Sequence, residues 1–281
     1  MSVIGSVLAD DVPPFLKWAG GKRWLTHNYT HFLPREFGRY IEPFLGSGAV
    51  FFHLKPHESV LADKNGDLIN VYRQIKGNWK KVRGALSRHQ TLHSKDYYYE
   101  ERDRQRRAEH ERAAQFIYLN RTCWNGLYRV NLKGEFNVPI GTKNTVLLDS
   151  DNFKTTSKLL RKSKLLVADF EETIESALQD DFVFIDPPYI TRHNFNGFIK
   201  YNEELFSWSD QERLVRAVRR AAKRGVKMLL TNAAHDSIRD LYRGIGRQYD
   251  MDRSSVLAAD SANRGFTTEI AIVVNFKVSR A

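Results

Sequence analysis

Four consecutive residues, Asp186-Pro187-Pro188-Tyr189, put a carboxylate, bare carbonyls and an aromatic face side by side. Two prolines in a row fix φ and remove two N–H donors, so the turn is stiff and its carbonyls are free acceptors. That set suits a planar ring carrying an exocyclic NH2. The carboxylate and a proline carbonyl accept its two N–H bonds while Tyr189 stacks on the ring. The preceding residues, Asp181-Phe182-Val183-Phe184-Ile185, form an apolar run that reads as a buried strand. Open α/β sheets bind their ligands at such carboxyl ends.

Other strand ends carry matching signals. Strand 40–42 runs into Pro43-Phe44-Leu45-Gly46-Ser47-Gly48, and 49–54 then reads as a helix. This glycine motif is shorter than the dinucleotide fingerprint and lacks its third glycine, which argues against a nicotinamide cofactor. Gly46 and Gly48 still allow close backbone approach to a ligand. A second strand, 59–62, ends at Asp63, which is placed to accept hydrogen bonds from ribose hydroxyls. S-adenosylmethionine fits, having ribose and adenine but no phosphate. Leu165-Leu166-Val167-Ala168 leads to Asp169-Phe170, and strand 226–230 leads to Thr231-Asn232. Five strand ends in register are hard to attribute to turns and helix caps alone.

Several chemistries are disfavoured. Gly20-Gly21-Lys22 lacks the spacing of a phosphate-binding P-loop. His89 and His93 stand at i and i+4 without a third ligand at suitable spacing, so no metal is expected. The one cysteine, Cys123, excludes a disulfide framework and fits a reducing, cytoplasmic setting. No apolar run is long enough for a membrane helix, and Asp10 and Asp11 make the N-terminus a poor signal peptide.

The elements that position these residues divide the chain. Its 281 residues suit one large domain or a domain with a sizeable insertion. Between residues 71 and 149 there are 16 Lys and Arg against 8 Asp and Glu, so +8 of the net +11 lies there. Such a surplus points to a polyanion, most often nucleic acid. Residues 71–120 read as charged helices, with Glu100–Arg104 and Asp103–Arg107 spaced as pairs on an exposed face and Tyr97–Tyr99 as core packing. Residues 131–138 read as two short strands around a turn. Beyond residue 150 the α/β pattern resumes. A helix starts at Ser209 with a capping box to Glu212 and an apolar stripe of Leu214, Val215, Val218 and Ala222, and the last strand is 269–276. The expected fold is α/β, a Rossmann-like sheet formed by 1–66 and 150–281, interrupted by a mostly helical insert, 67–149, that bears a β-hairpin. The loop 190–206 reads equally as a lid or as an ordinary long loop.

These motifs together resemble the DNA adenine-N6 methyltransferases of the Dam type, amino-methyltransferases with the Asp-Pro-Pro-Tyr motif. The resemblance covers nearly all of the chain after residue 14. It rests on Phe15-Leu16-Lys17-Trp18-Ala19-Gly20-Gly21-Lys22, Glu42-Pro43-Phe44-Leu45-Gly46-Ser47-Gly48, Ala62-Asp63-Lys64-Asn65, Ala168-Asp169-Phe170 and Asp186-Pro187-Pro188-Tyr189. It rests also on Asn125-Gly126-Leu127-Tyr128-Arg129 with the 131–139 ribbon. It implies methyl transfer from S-adenosylmethionine to adenine in double-stranded DNA, commonly in GATC, with S-adenosylhomocysteine as product and the base flipped out of the stack. Catalysis falls to Asp186, Pro187, Pro188 and Tyr189. Cofactor binding falls to Trp18, Lys22, Phe44, Gly46, Gly48, Asp63, Asp169, Phe170 and Asp186. DNA contacts fall to Lys17, Trp124, Asn125, Leu127, Arg129, Asn131 and Pro139, with Arg129 reading guanine and Trp124, in place of a more usual tyrosine, wedging into the duplex. A monomer bound to DNA in the nucleoid is expected. The alternatives are another adenine site, cytosine N4, RNA, or a DNA-binding relative without activity.

Overall fold

The computed structural model describes residues 12–131, 134–190, 206–254 and 266–279. Seven strands form one sheet: β1 (Tyr40–Glu42), β2 (Ser59–Asp63), β3 (Ser163–Val167), β4 (Phe182–Ile185), β5 (Lys227–Ala233), β6 (Arg247–Ser254) and β7 (Phe266–Val274). Their order is β3-β2-β1-β4-β5-β7-β6. The first five pair in parallel, and β7 inserts antiparallel between β5 and β6. The strand order reverses between β1 and β4, so the ends of these two strands flank the switch point where such sheets bind ligands.

The central strands are mostly apolar, as both faces are covered, with polar residues toward their carboxyl ends. Alternate residues serve different sides. Tyr40, Leu61, Phe182, Phe184 and Leu229 enter one core, and Ile41, Val60, Val183, Ile185 and Leu230 enter the other. The second core is closed by α7 (Phe170–Glu175), α8 (Trp208–Lys223) and α9 (Asp236–Leu241). The first is closed by α1 (Arg23–Asn28), α2 (Ala49–Leu54), α3 (Gly66–Leu92), α5 (Glu109–Thr122) and α6 (Phe153–Leu160), with α4 (Lys95–Asp103) against α5.

Helix α3 serves both the sheet and the helical layer. It begins at Asn65, whose side chain accepts from the Leu68 N–H, and it kinks at Asn78. Before the kink, Arg73 donates to the Leu165 carbonyl and Lys76 to that of Ser163. After it, Val82, Leu86 and His89 pack into the helical layer. His89 hydrogen-bonds the Tyr97 hydroxyl at 2.8 Å and stacks on Tyr118, while His93 reaches the Tyr118 hydroxyl at 2.9 Å. Tyr98 is fully buried, and Tyr97 and Tyr99 pack against the same core.

Four local expectations are corrected. Helix α8 starts one residue earlier than expected, and its capping box is Ser207 with Asp210; Glu212 instead accepts from the Trp208 indole. The pairs Glu100–Arg104 and Asp103–Arg107 do not form, because α4 ends at Asp103. Buried Glu101 gathers Arg106 at 2.6 Å and Arg104 at 3.6 Å in their place. Among the described residues, the 131–138 ribbon forms no two-stranded ladder. It is pinned among them by single bridges, Val130 to Phe136 and Cys123 to Ile140, and Leu132 and Lys133 lie outside the described residues. The last strand ends at Val274, where Asn275 takes a positive φ, and its partner β6 was not anticipated. β6 carries Arg247, Gln248, Asp250, Asp252 and Arg253, too polar to read as a strand. Of the loop 190–206, only Ile190 and Phe206 are described, and both are buried.

Candidate active site

Asp186 follows β4 directly, with its side chain 18% exposed. Its Oδ1 meets three donors: Lys22 Nζ at 2.8 Å, the Thr231 hydroxyl at 2.7 Å and the Tyr189 hydroxyl at 3.3 Å. Among the described residues, none of these bonds falls on Oδ2. Lys22 is buried, donates to the Gly20 carbonyl and lies 3.6 Å from Glu269 on β7. Glu269 is buried too and accepts from the Tyr189 hydroxyl at 2.5 Å. Burial pushes the Asp186 carboxyl above the usual carboxylate range, with Lys22 opposing and Glu269 adding to the rise. Burial, reinforced by the two carboxylates, pushes the Tyr189 hydroxyl well up.

The glycine turn after β1 faces this cluster. Gly46 has a φ of +47°, and a methyl added there would lie 2.7 Å from the Trp18 indole. Only glycine tolerates both the conformation and the approach. Asp63 fixes the turn by accepting from the Gly46 N–H with one oxygen and from the Asn65 N–H with the other. Burial raises its carboxyl, and those backbone donors oppose the rise. Gly48, at a φ of +64°, is the N-cap of α2. The Phe44 and Phe170 rings stack at 5.4 Å. Asp169 caps α7 and pairs with Arg213 at 2.7 Å, so its Oδ1 serves the fold at the cavity's border.

A cavity of about 960 Å³ joins these parts. That is near the top of the range of small-molecule sites, roughly 300–1,000 Å³. Trp18, Phe44, Gly46, Asp63 and Phe170 line one part, and Asp186 to Tyr189 line another. Leu127, Tyr128, Arg129 and Val130 also border it, so the ribbon forms a wall of the same cavity. Trp18 stacks on Tyr128 at 5.6 Å and joins the two sides.

The residues expected to touch DNA differ in their surroundings. Trp124 is 51% exposed, and its N–H is held by the carbonyl of exposed Pro139 at 2.9 Å. Asn125 is exposed at a φ of +55°. Arg129 is exposed and donates through Nε to Asn137 at 2.8 Å. Lys17 is exposed, with its backbone locked on both sides by the Asn120 amide. Leu127 is half-buried against the core. Asn131 uses both ends of its amide on Glu135, which shapes the ribbon's turn.

Residues 18–255 match the family model of the D12 class N6 adenine-specific DNA methyltransferases. The chain belongs to this family. It is an adenine-specific DNA methyltransferase, of a kind that uses S-adenosylmethionine. It is 39% identical over 272 residues to the type II methyltransferase M1.LlaDCHI of Lactococcus lactis subsp. cremoris, covering 94% of this chain and 95% of that one. It is 40% identical over 257 residues to the type II methyltransferase M.MjaIII of Methanocaldococcus jannaschii, covering 83% and 89%. It is 35% identical over 241 residues to the DNA adenine methylase of Haemophilus influenzae, covering 82% and 83%.

Within this methyltransferase, sequence reasoning missed Glu269 and Glu42. Glu42 is buried at the end of β1, accepts from the Tyr40 hydroxyl at 2.9 Å and borders the cavity. Glu42 is an acid at the end of a short strand, which was the available signal; Glu269 lies inside β7, where no local signal marks it. Of the expected pair Thr231-Asn232, both inside β5, only Thr231 reaches the cluster; Asn232 bonds Gln211 instead. No helix among the described residues is long and apolar enough to cross a membrane, and none of them group into a metal site.

Proposed function

We propose that this methyltransferase moves the methyl group of S-adenosylmethionine to N6 of adenine within GATC in duplex DNA, acting as a monomer on a base flipped out of the stack. The observation that carries this is the shared cavity, in which Asp186-Pro187-Pro188-Tyr189, the Gly46 turn and the Arg129 ribbon face one another.

The donor set fits the cofactor. Trp18 and the Phe44–Phe170 pair offer flat apolar surface to adenine, and Asp63 offers acceptors to ribose hydroxyls. The close approach of Gly46 to Trp18 leaves no room for a side chain on the turn. The bound cofactor supplies an electrophilic methyl on a sulfonium. Lys22, expected with the cofactor, lines the same cavity and pairs with the carboxylate that meets the target amine.

The N6 lone pair of adenine is delocalised into the ring, which makes it a poor nucleophile. Oδ2 of Asp186 and the Pro187 carbonyl accept the two N6 hydrogens, draw the nitrogen toward tetrahedral geometry and localise the lone pair on the methyl side. Tyr189 holds the ring by stacking. The N6–carbon bond forms as the sulfonium–carbon bond breaks, and the N6 proton leaves to solvent afterwards. Positioning supplies much of the acceleration.

Arg129 is suited to a contact with guanine: Asn137 accepts from its Nε at 2.8 Å and, through the backbone carbonyl, from Nη2 at 3.5 Å, which leaves Nη1 and the second Nη2 hydrogen to reach a base edge. Exposed Trp124 is suited to fill the space of the flipped adenine. The surplus charge of residues 71–149 makes this side of the molecule the duplex-binding side, with 67–149 as its target-recognition region.

The test is methyl transfer from labelled cofactor to three duplexes: one with GATC, one with a single-base variant of it, and one methylated at N6 on both strands. Label in the first alone is the expected outcome. Equal label in the first two would remove the GATC assignment and keep adenine. Label in none, with cofactor bound, would shift the substrate to RNA or cytosine N4.

A further inference from the structure

We propose that Glu269 is a positioning residue for methyl transfer, which holds the Tyr189 hydroxyl and shares Lys22 with Asp186 so that Asp186 keeps Oδ2 for the target amine. This rests on the assignment of Asp186 as the acceptor for N6.

Glu269 lies at the antiparallel side of the site, on β7, opposite Ala233 of β5 and Met251 of β6, neither of which can pair with a charge. It is 2% exposed. The charged and titratable groups around it are Lys22, Asp186 and Tyr189, with Glu42, Tyr40 and Asp63 behind Asp186 on β1 and β2. A carboxylate is seldom left in such a place without a partner. Two of its partners here, Lys22 and Tyr189, are groups that touch Asp186.

Tyr189 has one hydroxyl proton and two carboxylates in reach, at 2.5 Å to Glu269 and 3.3 Å to Asp186. The shorter contact takes the proton. Asp186 Oδ1 is then left with Lys22 and Thr231 as its donors, and the ring that stacks on the base is anchored at its far end. Lys22 lies above that ring, 4.9 Å from its centre.

Without Glu269, the Tyr189 proton turns to Asp186 and Lys22 loses its second carboxylate. Both donors then draw on the carboxylate that must accept from N6, and the ring loses its anchor. The loss of a negative charge beside Asp186 also makes that carboxyl easier to ionise.

The experiment is single-turnover methylation of a GATC duplex across pH by wild type, Glu269→Gln, Tyr189→Phe, the double variant and Asp186→Ala, with cofactor and duplex Kd measured for each. Glu269→Gln should slow the methyl-transfer step about 10- to 100-fold, the scale of a small misplacement, with both Kd values unchanged. Its acid limb should move to lower pH, and the double variant should be little slower than Tyr189→Phe. A wild-type rate and limb in Glu269→Gln, additive losses in the double variant, or a cofactor Kd that rises with the rate loss would each overturn the role. Should Glu269→Gln fail to fold, Glu269→Asp enters the same cycle, since its shorter side chain withdraws the acceptor from Tyr189 and keeps the charge. Turnover by Asp186→Ala would instead sink the Asp186 assignment; a silent Asp186→Ala beside a wild-type Glu269→Gln would sink the Glu269 role alone.

Discussion

At the carboxyl edge of the sheet, Lys22, Asp186, Glu269 and Tyr189 are largely buried and bonded to one another. On the ribbon side of the same cavity, Trp124, Arg129 and Pro139 stand in solvent. The first arrangement fixes charges before any ligand arrives, which suits a reacting centre, where reorganisation costs rate. The second leaves its side chains free to meet a partner and carries them on short turns above a rigid scaffold, which suits recognition. Arg121, near the end of α5, clamps the helix that leads into the ribbon. It pairs with Asp151 through two contacts of 2.6 Å and donates to the carbonyls of Phe15 and Val146.

Breaking that clamp should have the largest effect on the fold. Arg121→Ala leaves Asp151 buried without its cation, and loss of one partner of such a pair costs about 3–5 kcal/mol. Denaturant unfolding should show that loss, while the surviving folded enzyme keeps its sequence preference. A changed preference would mean that the two regions are not separable. Arg129→Ala sharpens the same division from the other side. It should lower discrimination between GATC and its single-base variant by about 1–3 kcal/mol in kcat/KM, with melting temperature and cofactor Kd unchanged.

The helical layer and the sheet edge also answer pH in opposite directions. Burial lowers His89, in the helical layer, from 6.5 to about 4. Its folded value is depressed, so its contribution is complete above pH 6.5 and is lost as pH falls toward 4, by about 3 kcal/mol. Burial raises Glu42, at the sheet edge, well above 4.5, with Asp186 and Asp63 adding to the rise and the Tyr40 hydroxyl opposing it. Its contribution is complete below pH 4.5 and fades as pH rises through its folded value. Melting curves should therefore show that His89→Gln flattens the acid side of the stability profile, and that Glu42→Gln raises the melting temperature more at pH 8 than at pH 4.5. A shift of the same sign and size at both pH values in either variant would contradict the assigned cause.

Much of the sheet-edge site was legible in the sequence because strand, turn and ligand group are contiguous there. β1 and α2 match their expected bounds, and Asp63, Asp186 and the Gly46 turn fall at strand ends as expected. What was missed comes from distant segments. Nothing near Glu269 in the chain signals that it meets Tyr189, because β7 reaches the site by an antiparallel insertion. That Lys22 also reaches Asp186 was not legible, because the two stand far apart in the chain. The α4 pairs failed because a helix end at Asp103 is set by the buried Glu101–Arg106 contact, which local charge spacing does not reveal.

The most direct measurement is a comparison of wild type with Asp186→Ala in three assays on one preparation: S-adenosylmethionine binding, GATC-duplex binding and methyl transfer. The expected result is duplex binding close to wild type and measurable cofactor binding, with no methyl transfer above background at saturating cofactor. Methyl transfer at a substantial fraction of the wild-type rate would contradict the placement of the reaction at Asp186 and the division between a fixed reacting edge and an adaptable reading edge.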